Sequence, residues 1–164
     1  MSETARSSAS KRPDRRATPI LDRASPARLS AWRPYYDLRH PLWHKRPDWF
    51  AALGVARLYD ERDLRLSYVM WQEQVAPYLV VELLSPGTKQ EDLGETEREG
   101  QAPPTKWTVY EQILRVPYYV VFSRYTDEVR YFQLSGGQYR ELRPADQRLW
   151  LPQAGLGIGL WPGL

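Results

Sequence analysis

Residues 79–84 form a short apolar run with the sequence Leu-Val-Val-Glu-Leu-Leu, the strongest strand signal in the chain. A Ser-Pro-Gly turn signal follows at residues 85–87 and closes the run. A continuous apolar run of this length is typical of a strand that is covered on both faces of a sheet. The run therefore predicts a central buried strand, although one carboxylate, Glu82, stands inside it.

A helix is predicted over residues 106–115. Thr105 stands where an N-cap belongs, and Pro117 ends the segment. One stripe of this helix is apolar, as expected for a face that packs on a sheet, and consists of Trp107, Tyr110, Ile113 and Leu114.

The remaining segments predict an α/β domain, because strands precede and follow the helix. The predicted strands cover residues 64–71, 118–122, 129–132 and 138–142, the last two joined by a Ser135-Gly136-Gly137 hairpin turn. Residues 88–104 predict a polar loop or mobile flap. The apolar stretch at residues 149–161 carries alternate glycines but lacks the strand-to-helix context of a phosphate loop.

Length and composition exclude several classes of protein. The 164 residues suit one domain with a single core. The chain has no cysteine, which excludes a disulfide scaffold, a thiolate zinc site and a cysteine nucleophile, and the reducing cytoplasm is the expected compartment. No apolar run approaches the roughly 18 residues of a membrane helix, and no secretory signal is recognisable.

The positive charge of the chain is concentrated at its N-terminus. Residues 1–30 hold seven basic and three acidic groups, whereas the remaining 134 residues hold 16 basic and 17 acidic groups. The first segment has too little apolar sequence to offset the entropy of ordering it. We therefore predict a disordered basic tail over residues 1–30, able to hold DNA nonspecifically, and a folded domain over residues 31–164.

Three charged residues are candidates for chemistry. Glu82 needs a partner, hydrogen bonds or a metal ion if it is buried, although an exposed strand face or a core arginine would also explain it. Asp48 follows Pro47 and is either a second site carboxylate or an ordinary turn residue. Lys106 occupies the first turn of the helix, where the dipole disfavours a cation, so it either has an anionic partner or extends into solvent. Two carboxylates and a backbone carbonyl can hold Mg²⁺.

The predicted domain contains several short motifs, which are, in order along the chain, Arg46-Pro47-Asp48, VVELLSPGT at residues 80–88, Asp92, Lys106-x-x-x-Tyr110 and Val116-Pro117-Tyr118-Tyr119. Over about residues 32–161 the chain resembles the Uma2 family of restriction-endonuclease-like proteins, within the PD-(D/E)XK nuclease superfamily. The resemblance implies a restriction-endonuclease-like mixed β-sheet core flanked by helices. It also implies a metal-dependent endonuclease that hydrolyses DNA phosphodiester bonds.

The resemblance assigns roles to individual residues. Asp48 matches the first acidic position, Glu82 the second, and Leu83 would offer its backbone carbonyl to Mg²⁺ or Mn²⁺. The catalytic lysine normally follows two residues after the second acid, where Leu84 stands; Lys106 matches a lysine displaced to the following helix. Lys89 is a second candidate for that lysine, and Asp92 matches an acidic position without an assigned role.

Basic residues near the acidic positions are expected to contact DNA phosphates, namely Arg46 and Lys89, with Arg39 and Lys45 as further candidates. Solvated surface charge would explain each of them equally well. His40 and His44 are expected to be surface or capping residues rather than catalytic ones.

The expected partners are DNA and, for cleavage of both strands, a second copy of the chain in a homodimer. Neither a membrane nor an organic cofactor is expected. The alternative is a catalytically inactive nuclease-fold module that binds DNA or protein. Two departures from the family pattern motivate it: Leu84 replaces the usual lysine, and Tyr78 stands where many members have aspartate.

Overall fold

The computed structural model of the chain describes residues 27–30, 33–56, 58–59, 62–64, 67–96 and 102–160. Twelve strands lie in this part of the chain: β1 (Ala27–Ser30), β2 (Pro34–Tyr35), β3 (Trp49–Ala52), β4 (Leu58–Tyr59), β5 (Asp63–Leu64), β6 (Tyr68–Val69), β7 (Leu79–Leu83), β8 (Tyr118–Ser123), β9 (Glu128–Ser135), β10 (Gln138–Leu142), β11 (Arg148–Leu151) and β12 (Leu156–Gly159).

The helical segments are short. They are α1 (Met70–Glu73), α2 (Lys89–Asp92) and α3 (Lys106–Thr108), which continues directly into a π-helical turn (Val109–Ile113), and a 3₁₀ turn (Pro152–Ala154). In the part of the chain that the structure covers, no helix is long and apolar enough to cross a membrane.

Six strands form the main sheet, in the order β1-β3-β7-β8-β9-β10. The central pair, β7 and β8, is parallel, and every other neighbouring pair in this sheet is antiparallel. The parallel connection runs through α2 and α3, as expected because parallel strands need a long crossover. The predicted α/β class with a mixed sheet is confirmed.

The two faces of the sheet are covered by different elements. Val109, Tyr110 and Leu114 from the helical segment pack on one face against Val80 and Tyr119. On the other face Leu149 and Leu151 of the β11–β12 hairpin pack against Leu79, Tyr118 and Val120. Helices therefore flank one face, and a hairpin covers the other. The central strand β7 is buried on both sides, as its continuous apolar run predicted.

Several predicted elements are confirmed. Strands β7 and β8 lie within one residue of their predicted ends, and β9 and β10 form the predicted hairpin. Gly136 and Gly137 have φ of 63° and 87° at its turn, the left-handed backbone that a two-residue hairpin of this type requires. Thr105 caps its helix as predicted, because its side chain accepts a hydrogen bond from Thr108 N.

The strand predicted over residues 64–71 is wrong. The segment contains the end of β5 and the two-residue β6, and its last two residues belong to α1. Tyr68 is fully buried, lies edge-on to Phe50 and donates a hydrogen bond to Val75 O. The β-branched and aromatic residues suggested one continuous strand, whereas the chain enters α1 directly after Val69.

The predicted apolar stripe is correct for Tyr110 and Leu114 but wrong for Ile113, whose residue is 44% exposed. The wider π-helical turn explains the difference, because Leu114 N donates to Val109 O, five residues earlier. This turn shifts the phase of the following side chains, so Val109 faces the core and Ile113 faces outwards.

Two predicted irregular segments contain regular structure. The loop predicted over residues 88–104 includes α2, which is too short to show an apolar stripe in the sequence; residues 97–101 lie outside the described residues. The tail predicted over residues 1–30 overlaps β1, in which Ala27 pairs with Ala52. Backbone pairing at a sheet edge needs no apolar run, so the pattern did not indicate it. Residues 1–26 lie outside the described part.

Candidate active site

Glu82 lies in the central strand β7 and has no exposed surface. Its carboxylate is held on both oxygens. Lys106 Nζ donates to Oε2 at 2.9 Å, and the hydroxyl of Tyr110 donates to Oε1 at 2.9 Å. The predicted need for a partner is therefore met by a lysine and a tyrosine from the helical segment that covers this face.

Lys106 is placed by the start of α3. Thr105 caps this helix, and Glu91 Oε1 accepts a hydrogen bond from Lys106 N at 3.1 Å. The side chain of Lys106 is 18% exposed and extends towards the sheet. The unfavourable position of a cation at a helix start is offset here by two carboxylates, Glu82 and Asp92.

Asp92, the last residue of α2, is the second carboxylate next to the lysine and is only 1% exposed. Its Oδ1 lies 3.1 Å from Lys106 Nζ, at ion-pair distance but without hydrogen-bond geometry. Neither carboxylate oxygen of Asp92 accepts a hydrogen bond from the described residues. The backbone of Asp92, unlike its carboxylate, has a hydrogen bond here, because the hydroxyl of Tyr119 donates to Asp92 O at 2.9 Å.

The electrostatics of this cluster follow from burial. Burial raises the pKa of Glu82 to about 8, with the ammonium of Lys106 acting in the opposite direction and the charge of Asp92 adding to the rise. Burial alone would lower the pKa of Lys106, but the charges of Glu82 and Asp92 raise it above its ordinary value. Two carboxylates share one ammonium, so the fully ionised cluster carries a net negative charge.

Asp48 lies at the exposed entrance to this cluster, just before β3. Its Oδ2 accepts a hydrogen bond from Leu83 N at 2.8 Å. In the β3–β7 register Trp49 pairs with Val81, and extending it by one residue places Asp48 opposite Glu82. Opposed residues in an antiparallel pair project from the same face. The three residues predicted as metal ligands, Asp48, Glu82 and Leu83, are therefore brought together at one end of β7.

The donors at this end of β7 fit a hard divalent cation. Among the described residues, no three His, Cys, Asp or Glu side chains are arranged to hold a metal ion. Mg²⁺, however, commonly uses one or two protein carboxylates and keeps several waters. Asp48 and Glu82 supply two such carboxylates, and Asp92, whose oxygens accept no hydrogen bond from the described residues, adds negative charge behind them.

The other basic residues predicted near the site differ in their exposure and contacts. Lys89, the first residue of α2, and Arg46 are exposed. Lys45 is buried, with Nζ 3.4 Å from Glu91 Oε1. Of the two candidate lysines, Lys106 and Lys89, only Lys106 has a contact with Glu82 in the described part of the chain.

The remaining candidates, His40, His44 and Arg39, lie in residues 37–44, and the two histidines contact neighbours within this segment. His40 stacks on Trp43 and bonds Asp37, and His44 bonds Leu42 O. Arg39 is exposed. These contacts agree with the expected surface or capping role of the two histidines.

Tyr78 lies away from the cluster. It is buried just before β7 in the core of the other face, lies edge-on to Tyr118 and donates a hydrogen bond to Gln153. Glu82 is four positions further along the extended chain, roughly 13 Å away. A side chain at position 78 therefore packs the core and does not contribute to the Glu82 cluster.

Two residues of the cluster were not among the predicted site residues. Tyr110 was placed on the apolar stripe and in the Lys106-x-x-x-Tyr110 motif but was given no role in the site, although this spacing puts it one helical turn after Lys106. Glu91, which accepts the hydrogen bond from Lys106 N, gave no signal, because its role depends on the packing of α2 against α3.

Comparison with known proteins identifies the family. A search of curated proteins found no match to this chain. The sequence model of Uma2, described as "putative restriction endonuclease", matches residues 19–164. The match is longer than the expected one, which covered about residues 32–161. The chain therefore belongs to the Uma2 family, within the PD-(D/E)XK-like nuclease superfamily.

Proposed function

We propose that this chain is a metal-dependent endonuclease that hydrolyses phosphodiester bonds in DNA. The family supports a nuclease function. The observation that carries the proposal is the buried carboxylate of Glu82, which has a lysine ammonium 2.9 Å away and Asp48 opposite it when the β3–β7 register is extended by one residue. A buried ion pair adds little to stability, and a buried charge with a specific charged partner marks a candidate functional site.

The proposed roles follow the positions of the side chains. Asp48, Glu82 and the Leu83 carbonyl would hold Mg²⁺ or Mn²⁺, which supplies Lewis acidity at a phosphate and a template for displacement. Lys106 would orient the attacking water, help to deprotonate it or offset charge at the phosphorus. Tyr110 would fix the Glu82 carboxylate through its 2.9 Å hydrogen bond.

Arg46 and Lys89 are proposed to contact DNA phosphates, because both are exposed and flank the two acidic strand ends in the sequence. Replacing either with alanine should weaken DNA binding. The slope of log affinity against log salt should fall by the amount that corresponds to about one phosphate contact. Cleavage at saturating DNA should persist in these variants.

Plasmid nicking with Mg²⁺ or Mn²⁺ tests the proposal. We expect Asp48→Asn, Glu82→Gln and Lys106→Ala each to lower the rate by a factor on the order of 10² or more. Glu95→Gln, which removes an exposed carboxylate beyond α2, is the matched control and should retain the rate of the wild type. Undiminished nicking in both Asp48→Asn and Glu82→Gln would refute the assignment of the site.

One observation favours the alternative of an inactive nuclease-fold module that binds DNA or protein. Both oxygens of Glu82 are already engaged by Lys106 and Tyr110. An ion pair with a purely structural role would have the same contacts. Titration with Mn²⁺ separates the two functions, because a competent site binds the ion and loses that binding in Glu82→Gln, whereas the inactive module binds none.

A homodimer is proposed for cleavage of both strands, since one chain carries one such site. Sedimentation of the protein with and without a DNA duplex would measure the assembly. We propose that the chain acts in the cytoplasm, the compartment expected from the absence of cysteine.

A further inference from the structure

The carboxylate of Asp92 is the least compensated buried group near the site. It is 1% exposed, and neither of its oxygens accepts a hydrogen bond from the described residues. Burying a carboxylate without hydrogen bonds is unfavourable. A native chain retains such a group where it serves another purpose, so the position of Asp92 needs an explanation beyond packing.

Lys106 is the cation nearest to Asp92 in the described part of the chain. Its Nζ lies 3.1 Å from Asp92 Oδ1 and 2.9 Å from Glu82 Oε2. The two carboxylates differ in their other partners. Glu82 also accepts a hydrogen bond from Tyr110, whereas Asp92 depends on the ammonium alone.

The backbone of Asp92 is held independently of its side chain. Asp92 N donates to Thr88 O at 2.9 Å within α2, and Asp92 O accepts from the Tyr119 hydroxyl at 2.9 Å. The backbone of Asp92 therefore keeps its side chain next to Lys106. The side chain would stay there when the partners of Glu82 change.

We infer that Asp92 is a positioning residue that keeps the Lys106 ammonium in the site when a divalent cation engages Glu82. This inference rests on the proposed function, in which Glu82 is a metal ligand. A cation bound to Glu82 repels the ammonium and occupies the carboxylate that the ammonium now contacts. Asp92 offers the ammonium a second anion that needs no movement of α3. Without Asp92, lysine and metal ion compete for Glu82.

A double-mutant cycle on Mn²⁺ binding tests this role in the full chain. Isothermal titration would compare the wild type, Asp92→Asn, Lys106→Met and the double variant, with Glu95→Gln as the control for removing a nearby surface charge. We expect Asp92→Asn to weaken Mn²⁺ binding by about tenfold, at the lower end of the effect that outer-shell groups have on metal affinity. In the Lys106→Met background the loss should be at least about fivefold smaller, because the competing ammonium is gone.

The outcomes separate this inference from the proposed function. Equal losses from Asp92→Asn in both backgrounds would make Asp92 a metal ligand or a distant charge and would overturn the positioning role alone. Unchanged Mn²⁺ affinity in Asp92→Asn would overturn it as well. Absence of Mn²⁺ binding by the wild type would contradict the proposed function, and the role of Asp92 with it.

The test also holds if Asp92→Asn is poorly stable. The free energy of unfolding without metal gives a second cycle on the same four proteins. A coupling between Asp92 and Lys106 that changes the folding equilibrium constant by about fivefold or more is expected for a paired buried ion. Strict additivity would contradict the pairing on which the inference depends.

Discussion

At the scale of single residues, Glu82 is the part of the site that the sequence predicted best. A carboxylate inside an apolar strand requires compensation, and the structure supplies it through Lys106 and Tyr110. The partner of Asp92 could not be predicted in the same way. Its burial depends on how a four-residue helix packs beneath α3, which no local pattern encodes.

The raised pKa of Glu82 predicts a pH dependence of stability. Its pKa is about 8 in the folded chain, against an ordinary value of 4.5. Between these values the folded chain binds the proton more than the unfolded chain does, so the free energy of unfolding falls as pH rises. The contribution of this one group is at most about 1.4 kcal/mol per pH unit.

Denaturant unfolding from pH 5 to pH 8 measures this slope. We expect Glu82→Gln to unfold with a shallower decline over the same range, because glutamine does not titrate. An identical pH dependence in the wild type and in Glu82→Gln would show that Glu82 has an ordinary pKa in the folded protein.

At the scale of elements, the sequence predicted those parts whose signals are local. The apolar run indicated β7, the double glycine indicated the β9–β10 turn, and Thr105 indicated the start of α3. The misplaced side chain of Ile113 arose from the π-helical turn, whose spacing differs from the usual 3.6 residues. Strand β1 depends on backbone pairing with β3, which side-chain patterns do not report.

Gly94 is predicted to allow close packing of α3 on the segment after α2, because it has no Cβ. It has a φ of 74°, and a Cβ there would lie 2.7 Å from the Trp107 ring. Gly54 has nearly the same φ, 73°, but open space around it. Gly54→Ala should therefore cost about 1 kcal/mol through backbone strain alone. Gly94→Ala should cost about 2 kcal/mol more, because the indole must move.

Thermal or denaturant unfolding of the two glycine variants checks this difference. Displacement of Trp107 should also shift α3, so nicking should fall in Gly94→Ala and persist in Gly54→Ala. Equal losses of stability in the two variants would mean that the packing of Gly94 against Trp107 contributes nothing.

At the scale of the whole molecule, the order of the predicted strands and helix indicated the α/β class but not which elements cover the two faces of the sheet. The β11–β12 hairpin packs on one face through Leu149 and Leu151. Its sequence shows only an apolar stretch with alternate glycines, one of which, Gly159, leaves room for Arg148. The packing of this hairpin on the sheet depends on strands that are distant in the sequence, so no local pattern predicts it.

The basic N-terminal segment is predicted to contribute to DNA affinity. Residues 1–26 carry six basic and three acidic groups, and β1 begins directly after them. Deleting residues 1–26 should weaken DNA binding and reduce the slope of log affinity against log salt by about 0.9 for each phosphate that this segment neutralises. Mn²⁺ binding should be unchanged.

Fluorescence anisotropy at several salt concentrations measures that slope, with Mn²⁺ titration as the control. Deleting residues 1–30 instead would also remove β1, which pairs with the strand that follows Asp48. An unchanged salt slope in the shorter deletion would show that the N-terminal charge does not meet DNA.

In the proposed function the Glu82 cluster cleaves DNA with the help of a divalent cation. Single-turnover cleavage of supercoiled plasmid in Mn²⁺, compared between the wild type and Glu82→Gln, measures the contribution of this cluster. Glutamine keeps the size of the side chain and removes the charge. We predict cleavage by the wild type that chelation abolishes, and a rate lower by a factor on the order of 10² or more in Glu82→Gln. Equal rates in the two proteins would contradict the proposed function.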